Sequence, residues 1–383
     1  MTTLSSNSKK MILMKTFYDI FKSFVLIFVN IYLWKTGKDI KAVAIFNIFN
    51  YIGATVSFYI GNMIARKNMK LNYLFSSLSF IMLFTITLIF GDGVAKFALF
   101  MGIFGGFGDG LFFFNLNNFQ ASYLNRDEID TFMSVMGIAK KITSIITPVI
   151  SGFIIELYGY NTMTYALIFL VVVQFIIGFS LPNTQIEGMM KINFNRLKKD
   201  RSFRNLYLTH TIRAPFSQIT TLSNSVFLFY FVQSEKLMGN LNSIFSITSI
   251  VLFYLYLVLQ RKFERKNLMM FGAIAHSLAV LLLIKPSFTT FVIYSLALTI
   301  GTTFFANALT GLQIHCAKRY SENQMEMLGN LMLRVILLNI GRCTFFILLY
   351  FLYTGFDSLF FKVLLVYNFI VPVLCYYLSK EDI

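Results

Sequence analysis

The sequence predicts an all-α polytopic membrane protein, with about twelve transmembrane helices in two six-helix halves. Three observations carry that prediction. First, 57% of the 383 residues are hydrophobic and only 13% are charged, whereas soluble domains are roughly 45–50% apolar. Second, a bilayer's hydrocarbon layer is about 30 Å thick, so a spanning helix takes about 20 mostly apolar residues, and runs of that length follow one another almost without pause. Third, short matching segments recur in the same order between the two halves of the chain.

In chain order, run length and turn punctuation place spans near 11–34, 41–64, 71–91, 95–121, 132–158, 162–181, 205–232, 237–260, 267–285, 288–315, 325–353 and 357–378. The first run is as long as the later ones and lacks a small-residue cleavage site, so it reads as a retained span rather than a signal peptide. Connections after odd-numbered spans, such as Gly159 to Asn161 and Lys285 to Ser287, are short. Those after even-numbered spans carry the cations: Arg66, Lys67 and Lys70; Arg126; Lys191 to Arg204; Arg261, Lys262, Arg265 and Lys266; Lys318 and Arg319. The positive-inside rule makes those loops and both termini cytoplasmic, in a multi-pass plasma-membrane protein. Tyr32 and Trp34 fit an aromatic belt at the outer end of the first span.

The longest connection, 182–204, divides a first half, 1–181, from a second, 205–383. Its KINFNRLKKDRSFRN stretch alternates Ile192, Phe194, Leu197 and Phe203 with basic residues, the pattern of a segment lying on an anionic leaflet.

Composition excludes several function classes. The net charge of +16 sits at the ends of apolar runs rather than on a soluble basic domain, so nucleic acid is not the partner. Cys316, Cys343 and Cys375 have no metal spacing and read as small packing residues. His210, His276 and His315 are scattered without spaced partners, so no catalytic, metal or cofactor constellation is expected and the protein is not an enzyme.

The repeat is visible in ARKNMK from Ala65 and ERKNLM from Glu264, which align Arg66 with Arg265, 199 positions apart. Aligning Gln120 with Gln313 brings Arg126 onto Arg319, and a one-residue shift then brings Lys140 onto Arg334. Two tandem six-span halves joined by a long basic loop resemble the major facilitator superfamily of secondary transporters, over essentially the whole chain. GNMIARKNMK, Gly61 to Lys70, is similar to that superfamily's G-x-x-x-D-R-x-G-R-K/R loop, with Ala65 at the acidic position and Asn68 at the second glycine. GGFGDG, Gly105 to Gly110, resembles the glycine-rich part of its R-x-x-Q-G-x-G motif, with Gly102 at the arginine position and Gly105 at the glutamine position. TPVISG, Thr147 to Gly152, resembles the G-P-x-x-G-G of its exporter branch. The resemblance implies a monomer working by alternating access, with spans one, four, seven and ten, flanked by two, five, eight and eleven, around a central cavity.

An ionisable side chain at membrane depth costs at least about 2.5–3.5 kcal/mol and so normally faces a wet cavity or a partner. The sequence places Asp19 and Lys22 in the first span, Asp109 in the fourth, Lys140 and Lys141 in the fifth, His210 and Arg213 in the seventh, and Arg334 and Arg342 in the eleventh. Cations outnumber acids, and an uncompensated cationic cavity is relieved by an anion. The expected substrate therefore carries a carboxylate, phosphate or sulfate, with Lys140, Arg213 and Arg334 as contacts and Asn115, Asn118 and Gln218 as hydrogen-bond partners.

Asp109, among glycines, is the expected proton-coupling site and Asp19 its rival. Successive helical residues point about 100° apart, so Lys140 is assigned to the cavity and Lys141 to a structural ion pair with Asp109. The leading expectation is a proton-coupled exporter of an amphipathic organic anion. A flippase for an anionic lipid or lipid-linked head group and a non-transporting membrane sensor or assembly partner are its alternatives. The partners expected are that substrate, protons and membrane lipids.

Overall fold

The computed structural model describes residues 4–122, 124, 126–183, 186, 188–260 and 262–379, without the side chains of 121–122, 126–127, 129–130, 265, 306–308 and 310–319. The expected match of Arg126 with Arg319 and of Gln120 with Gln313, and the packing expected for Cys316, thus involve side chains outside the described residues. The described chain is helical throughout and falls into two compact units, Met1–Lys191 and Ile192–Ile383.

Unit 1 begins with α1 (Ser6–Phe24), which runs through a π-helical turn, Val25–Val29, into α2 (Asn30–Gly37). α3 (Lys41–Ala65), α4 (Met69–Phe90), a 3-10 turn (Gly91–Phe97), α5 (Ala98–Ser122) and α6 (Arg126–Phe179) follow. α6 is two rods in one: Gly159, at φ 83, breaks it where the fifth and sixth spans were expected to part. Only glycine holds that backbone without strain.

Unit 2 repeats the plan. After α7 (Phe194–Lys199), α8 (Arg201–Leu222) runs through a π-helical turn, Ser223–Phe227, into α9 (Leu228–Val232). α10 (Glu235–Leu259), α11 (Arg265–Val280) with a 3-10 turn (Leu281–Ile284), α12 (Phe288–Arg319), α13 (Gln324–Leu352) and α14 (Leu359–Ser379) complete it. Among the described residues eight helical segments are long and apolar enough to cross a membrane. Two of these, 69–120 and 131–179, each cover two expected spans. The remaining expected spans, the first and the seventh, are the helices 6–37 and 201–232, each holding a π-helical turn.

Small residues let the helices close on one another. Gly102, Gly106 and Gly110 form a stripe on α5 against α3, and a Cβ on them would lie 2.4 Å from Phe46 O, 2.0 Å from Asn50 O and 2.0 Å from Ser57 Oγ. Backbones that approach so closely gain dispersion contacts over their whole length, the main force between helices in lipid. In unit 2 Gly272 and Gly301 do the same between α11 and α12, and Gly341 of α13 rests on Thr211 O of α8. Pro215 has no N–H to bond that carbonyl from four residues on, so α8 has room there for the neighbour.

The segment expected to lie on the leaflet divides between the units. Met190 N donates to Asn62 Oδ1 (3.1 Å) and Ile186 N to Ala65 O (3.4 Å), both in unit 1. Ile192, Leu197 and Phe203 instead pack into the core of unit 2 beside Leu206, Tyr207 and Tyr376, and only Phe194 is exposed. Their alternation with cations marked an amphipathic stretch, but its apolar side is covered by protein. At the end of α6, Lys70 Nζ donates to Phe179 O (2.9 Å) and Lys10 Nζ to Ser180 O (3.1 Å), closing a helix C-terminus with cations.

Candidate functional site: buried charges in each unit

In unit 1 the spacing of α1 decides which side chains gather. Lys15, Tyr18, Asp19 and Lys22 stand at i, i+3, i+4 and i+7, one stripe of a 3.6-residue helix. Asp109 of α5, 6% exposed, meets that stripe: its Oδ1 accepts from Tyr18 Oη at 2.8 Å, and its Oδ2 pairs with Lys22 Nζ. Tyr18 is held by stacking on Phe112, with centroids 4.3 Å apart and planes 3° apart, and by an edge contact with Phe21. One turn away, Lys15 Nζ pairs with Asp19 Oδ1, while the other oxygen, Asp19 Oδ2, is buried without a hydrogen-bond partner. The carboxylates are thus matched one to one with ammonium groups.

This arrangement corrects the pairing expected from sequence. Asp109 is bonded to Lys22 and Tyr18, not to Lys141, because α6 packs against α1 and α4 while the carboxylate points into the interface of α5 with α1. Lys141 is half-buried and Lys140 exposed on α6. Asn115 and Asn118 are also placed differently from expectation: both are fully buried between α5 and α4. Asn115 Oδ1 accepts from Asn72 Nδ2 (3.0 Å), and Asn118 Nδ2 lies 3.3 Å from Met69 Sδ. Amides buried against a neighbouring helix bond across it, since an unpaired amide in an apolar medium is expensive.

In unit 2 the cations within the helices have no such acids among the described residues. α8 and α13 pack directly, through Gly341 on Thr211 and Ala214 and through Tyr207 Oη donating to Asn330 O (3.2 Å). Arg334 stands four residues after Asn330 and seven before Gly341, hence on the α13 stripe that faces α8. Arg213 of α8 lies with its guanidinium carbon 5.7 Å over the Phe305 ring, and His210 is buried one turn earlier with an edge contact to Tyr207. Arg342 Nη1 donates to Asn339 Oδ1 (3.2 Å). The Nε atoms of Arg213 and Arg334 and the hydroxyl of Thr211 are buried without hydrogen-bond partners. Gln218 is buried, its Nε2 donating to Ser217 Oγ (3.1 Å).

The acids of unit 2 that the structure describes stand at helix ends or in connections: Asp200, Glu235, Glu264, Glu322, Glu326 and Asp357. None of the described acids lies in the middle of a unit 2 helix. Hydroxyls of α8 return to their own helix, Thr220 to Phe216 O and Thr221 to Ser217 O. Hydroxyls without another partner commonly bond back in this way.

Sequence reasoning passed over Lys15 and Tyr18. The i, i+4 spacing of Lys15 and Asp19 was a readable signal; nothing local marked Tyr18, whose role depends on where α5 lies. Among the described residues no group of three or more His, Cys, Asp and Glu side chains is arranged to hold a metal ion.

Comparison with known proteins places this geometry. The model of the family described as "Major Facilitator Superfamily" matches residues 17–332. The chain is 24% identical over 324 residues to "Uncharacterized protein YqgE" of Bacillus subtilis (strain 168), covering 82% of this chain and 75% of that protein. It is 26% identical over 162 residues to "Uncharacterized protein in sodM 3'region" of Geobacillus stearothermophilus, covering 42% of this chain and 75% of that protein. Among solved structures, a bacterial homologue of the iron transporter ferroportin is similar in its inward-facing state, with TM-score 0.71, 13% identity and coverage of 100% of this chain and 99% of that one. Its outward-facing state with soaked iron is similar too, with TM-score 0.69, 14% identity and 99% of each chain covered. At those identities the likeness to the solved structures is one of fold; the family match extends over most of the chain. The chain belongs to the Major Facilitator Superfamily, and it is a polytopic helical membrane transporter.

Proposed function

We propose that the protein is a secondary active transporter of an amphipathic organic anion, exporting it in exchange for protons. The observation that carries this reading is the unbalanced charge of unit 2: Arg213 and Arg334 lie on packed helices with His210 buried on α8, their Nε atoms buried without hydrogen-bond partners, and the acids described in that unit stand at helix ends or in connections. Buried cations left without acids are costly, and an anionic substrate lowers that cost when it binds. Arg213 and Arg334 are its main contacts and Gln218 a hydrogen-bond partner; planar guanidinium groups bind carboxylate or phosphate through two parallel hydrogen bonds. Lys140, the third contact expected from the sequence, is exposed on unit 1 and is not counted in this site.

In unit 1 the Asp109–Lys22 pair with Tyr18 is the coupling site, and Asp19–Lys15 its rival. A proton arriving at Asp109 breaks the pair with Lys22, so protonation and the arrangement of α1 against α5 are linked. Iron, the ion named for the ferroportin homologue, suits this chain poorly, because a cluster of arginines repels a metal cation.

The test is binding and transport by purified protein in proteoliposomes. Alkyl carboxylates, alkyl phosphates and alkyl sulfates are screened for thermal stabilisation, and the best of them is followed under an imposed pH gradient. Movement that depends on the gradient, lost in Arg334→Ala and in Arg213→Ala, supports the reading. Stabilisation by ferrous or manganous ions together with indifference to every anion would overturn it.

A further inference from the structure

The two π-helical turns carry an inference that does not depend on the identity of the substrate. They occupy Val25–Val29 and Ser223–Phe227, equivalent places 198 positions apart, each interrupting the first long helix of its unit. Neither contains proline or glycine, and their sequences, VLIFV and SNSVF, have nothing in common that would impose the same irregularity. A wide turn leaves a backbone carbonyl without its usual partner. In both units that carbonyl, on the second residue of the turn, is taken by an asparagine amide: Asn30 Nδ2 donates to Leu26 O (2.8 Å), and Asn242 Nδ2 to Asn224 O (3.1 Å).

A second asparagine ties the first device to the neighbouring helix, Asn47 Nδ2 donating to Asn30 Oδ1 (3.0 Å). Asn47 and Asn242 are themselves 195 positions apart on α3 and α10, the equivalent helices. Both interrupted helices also end alike, on the left-handed residues Lys38 (φ 57) and Gln233 (φ 51), again 195 apart. Lysine and glutamine rarely adopt that conformation. The repeat therefore keeps a whole set of costly local features, with the π-turn of unit 2 three residues later than the 195-residue offset of the others would put it.

A π-turn holds one residue more than the α-helix it interrupts, so it can move along the helix by exchanging hydrogen bonds a few at a time. Each residue it passes shifts by one position, about 100° of rotation and 1.5 Å of rise. We propose that the two turns are matched register switches. When the extra residue moves toward the N-terminal end of its helix, it rotates the segment before it, which in α1 leads to Asp19 and Lys22 and in α8 to His210 and Arg213. The asparagine clips are the latches that hold the register seen here. Charged groups can thus be turned toward or away from their neighbours without unfolding the helix, and without displacing α2 or α9.

Two measurements on the full chain in lipid nanodiscs test this. Amide hydrogen exchange should be at least tenfold faster in peptides covering 25–29 and 223–227 than one turn to either side, and Asn242→Leu should raise it about tenfold further in the second turn only. Register is read directly by cross-linking, in a background with Cys316, Cys343 and Cys375 replaced by alanine. Phe24 lies against Phe84, with ring centroids 6.4 Å apart, so the pair Phe24→Cys with Phe84→Cys traps the present register. A turn that has moved past this point puts residue 25 there instead, so Val25→Cys with Phe84→Cys traps the shifted one. A yield from the second pair of at least a tenth of the first supports the switch. Capture of the first pair alone overturns it. If neither pair forms, exchange decides: turns that exchange no faster than their flanks overturn the proposal, and faster exchange heightened by Asn242→Leu supports it.

Discussion

In unit 1, α1 and α5 meet through Asp109, which holds both Lys22 and Tyr18, and each described buried acid has its own lysine. In unit 2, α8 presents Arg213 and His210 on a helix packed against α13, which carries two more arginines and no acid of its own beyond Glu326 in its first turn. The same backbone plan thus carries opposite arrangements of charge. The interrupted first helix and its left-handed ending recur, while the titratable groups do not. A duplicated scaffold keeps its helix-to-helix geometry because packing tolerates little change. Its buried charges are free to diverge, provided each set is neutralised by something, whether an acid of the chain or a bound ion.

The sharpest way to break the comparison is mechanical. A side chain at Gly106 would place its Cβ 2.0 Å from the backbone oxygen of Asn50, which no rotamer change relieves. Gly106→Val should cost more than about 3 kcal/mol, beyond the usual range for overpacking, and give little folded protein by size-exclusion chromatography. Gly301→Ala, whose Cβ would meet His276 at 2.7 Å, should lower the melting temperature measurably and still fold.

Next in size is the charge contrast itself. Asp109→Leu strands Lys22 and should destabilise by roughly 2–4 kcal/mol, and Lys22→Met added to it should recover most of the loss. Arg334→Met removes a cation with no acid to strand, so the melting temperature should hold or rise while anion-induced stabilisation disappears. A fall in stability of Arg334→Met as large as that of Asp109→Leu would mean the two units handle charge alike.

Smaller still, Asn115→Ala should cost about 1–2 kcal/mol by breaking its hydrogen bond with Asn72, with anion binding unchanged. The smallest effect concerns Glu128, which accepts from Ser5 N (2.8 Å) and Ser8 Oγ (2.7 Å) outside the spans. These bonds, the backbone one first, hold its carboxyl below the usual carboxylate range. A lowered folded-state value means the stabilisation is present above the unfolded carboxyl's pKa, about 4.3, and is lost as pH falls through the folded value. Because the group is reached by solvent, the gain is a few tenths of a kcal/mol. Ser8→Ala should lower neutral-pH stability by part of that small gain and leave stability at low pH unchanged, so the acid-side pH dependence in thermal melts becomes flatter.

How much of this was legible in the sequence follows from what each feature depends on. Spans could be read because crossing a bilayer is a matter of run length, and the break at Gly159 because its neighbours punctuate the run. The glycine spacing at 102, 106 and 110 was equally open to reading as close packing. Charge partners were not, because Asp109 could reach Lys22 or Lys141 according to which helix α6 chooses to pack against. Asn115 and Asn118 looked like cavity residues for the same reason: their sequence records polarity but not direction. The π-turns leave no trace in VLIFV or SNSVF and emerge only when two helices of one plan are laid side by side.

Lys10 and Lys70 have a consequence beyond the closing of α6. By the positive-inside rule such lysines are orientation signals, acting while the chain is inserted; in the folded protein their ammonium groups complete the hydrogen bonding of a helix end. One pair of atoms therefore serves two moments in the life of the chain. Glutamine at both positions would keep a donor and lose the charge, so a chain that inserts wrongly yet caps correctly when refolded from detergent would separate the instruction for topology from the one for structure.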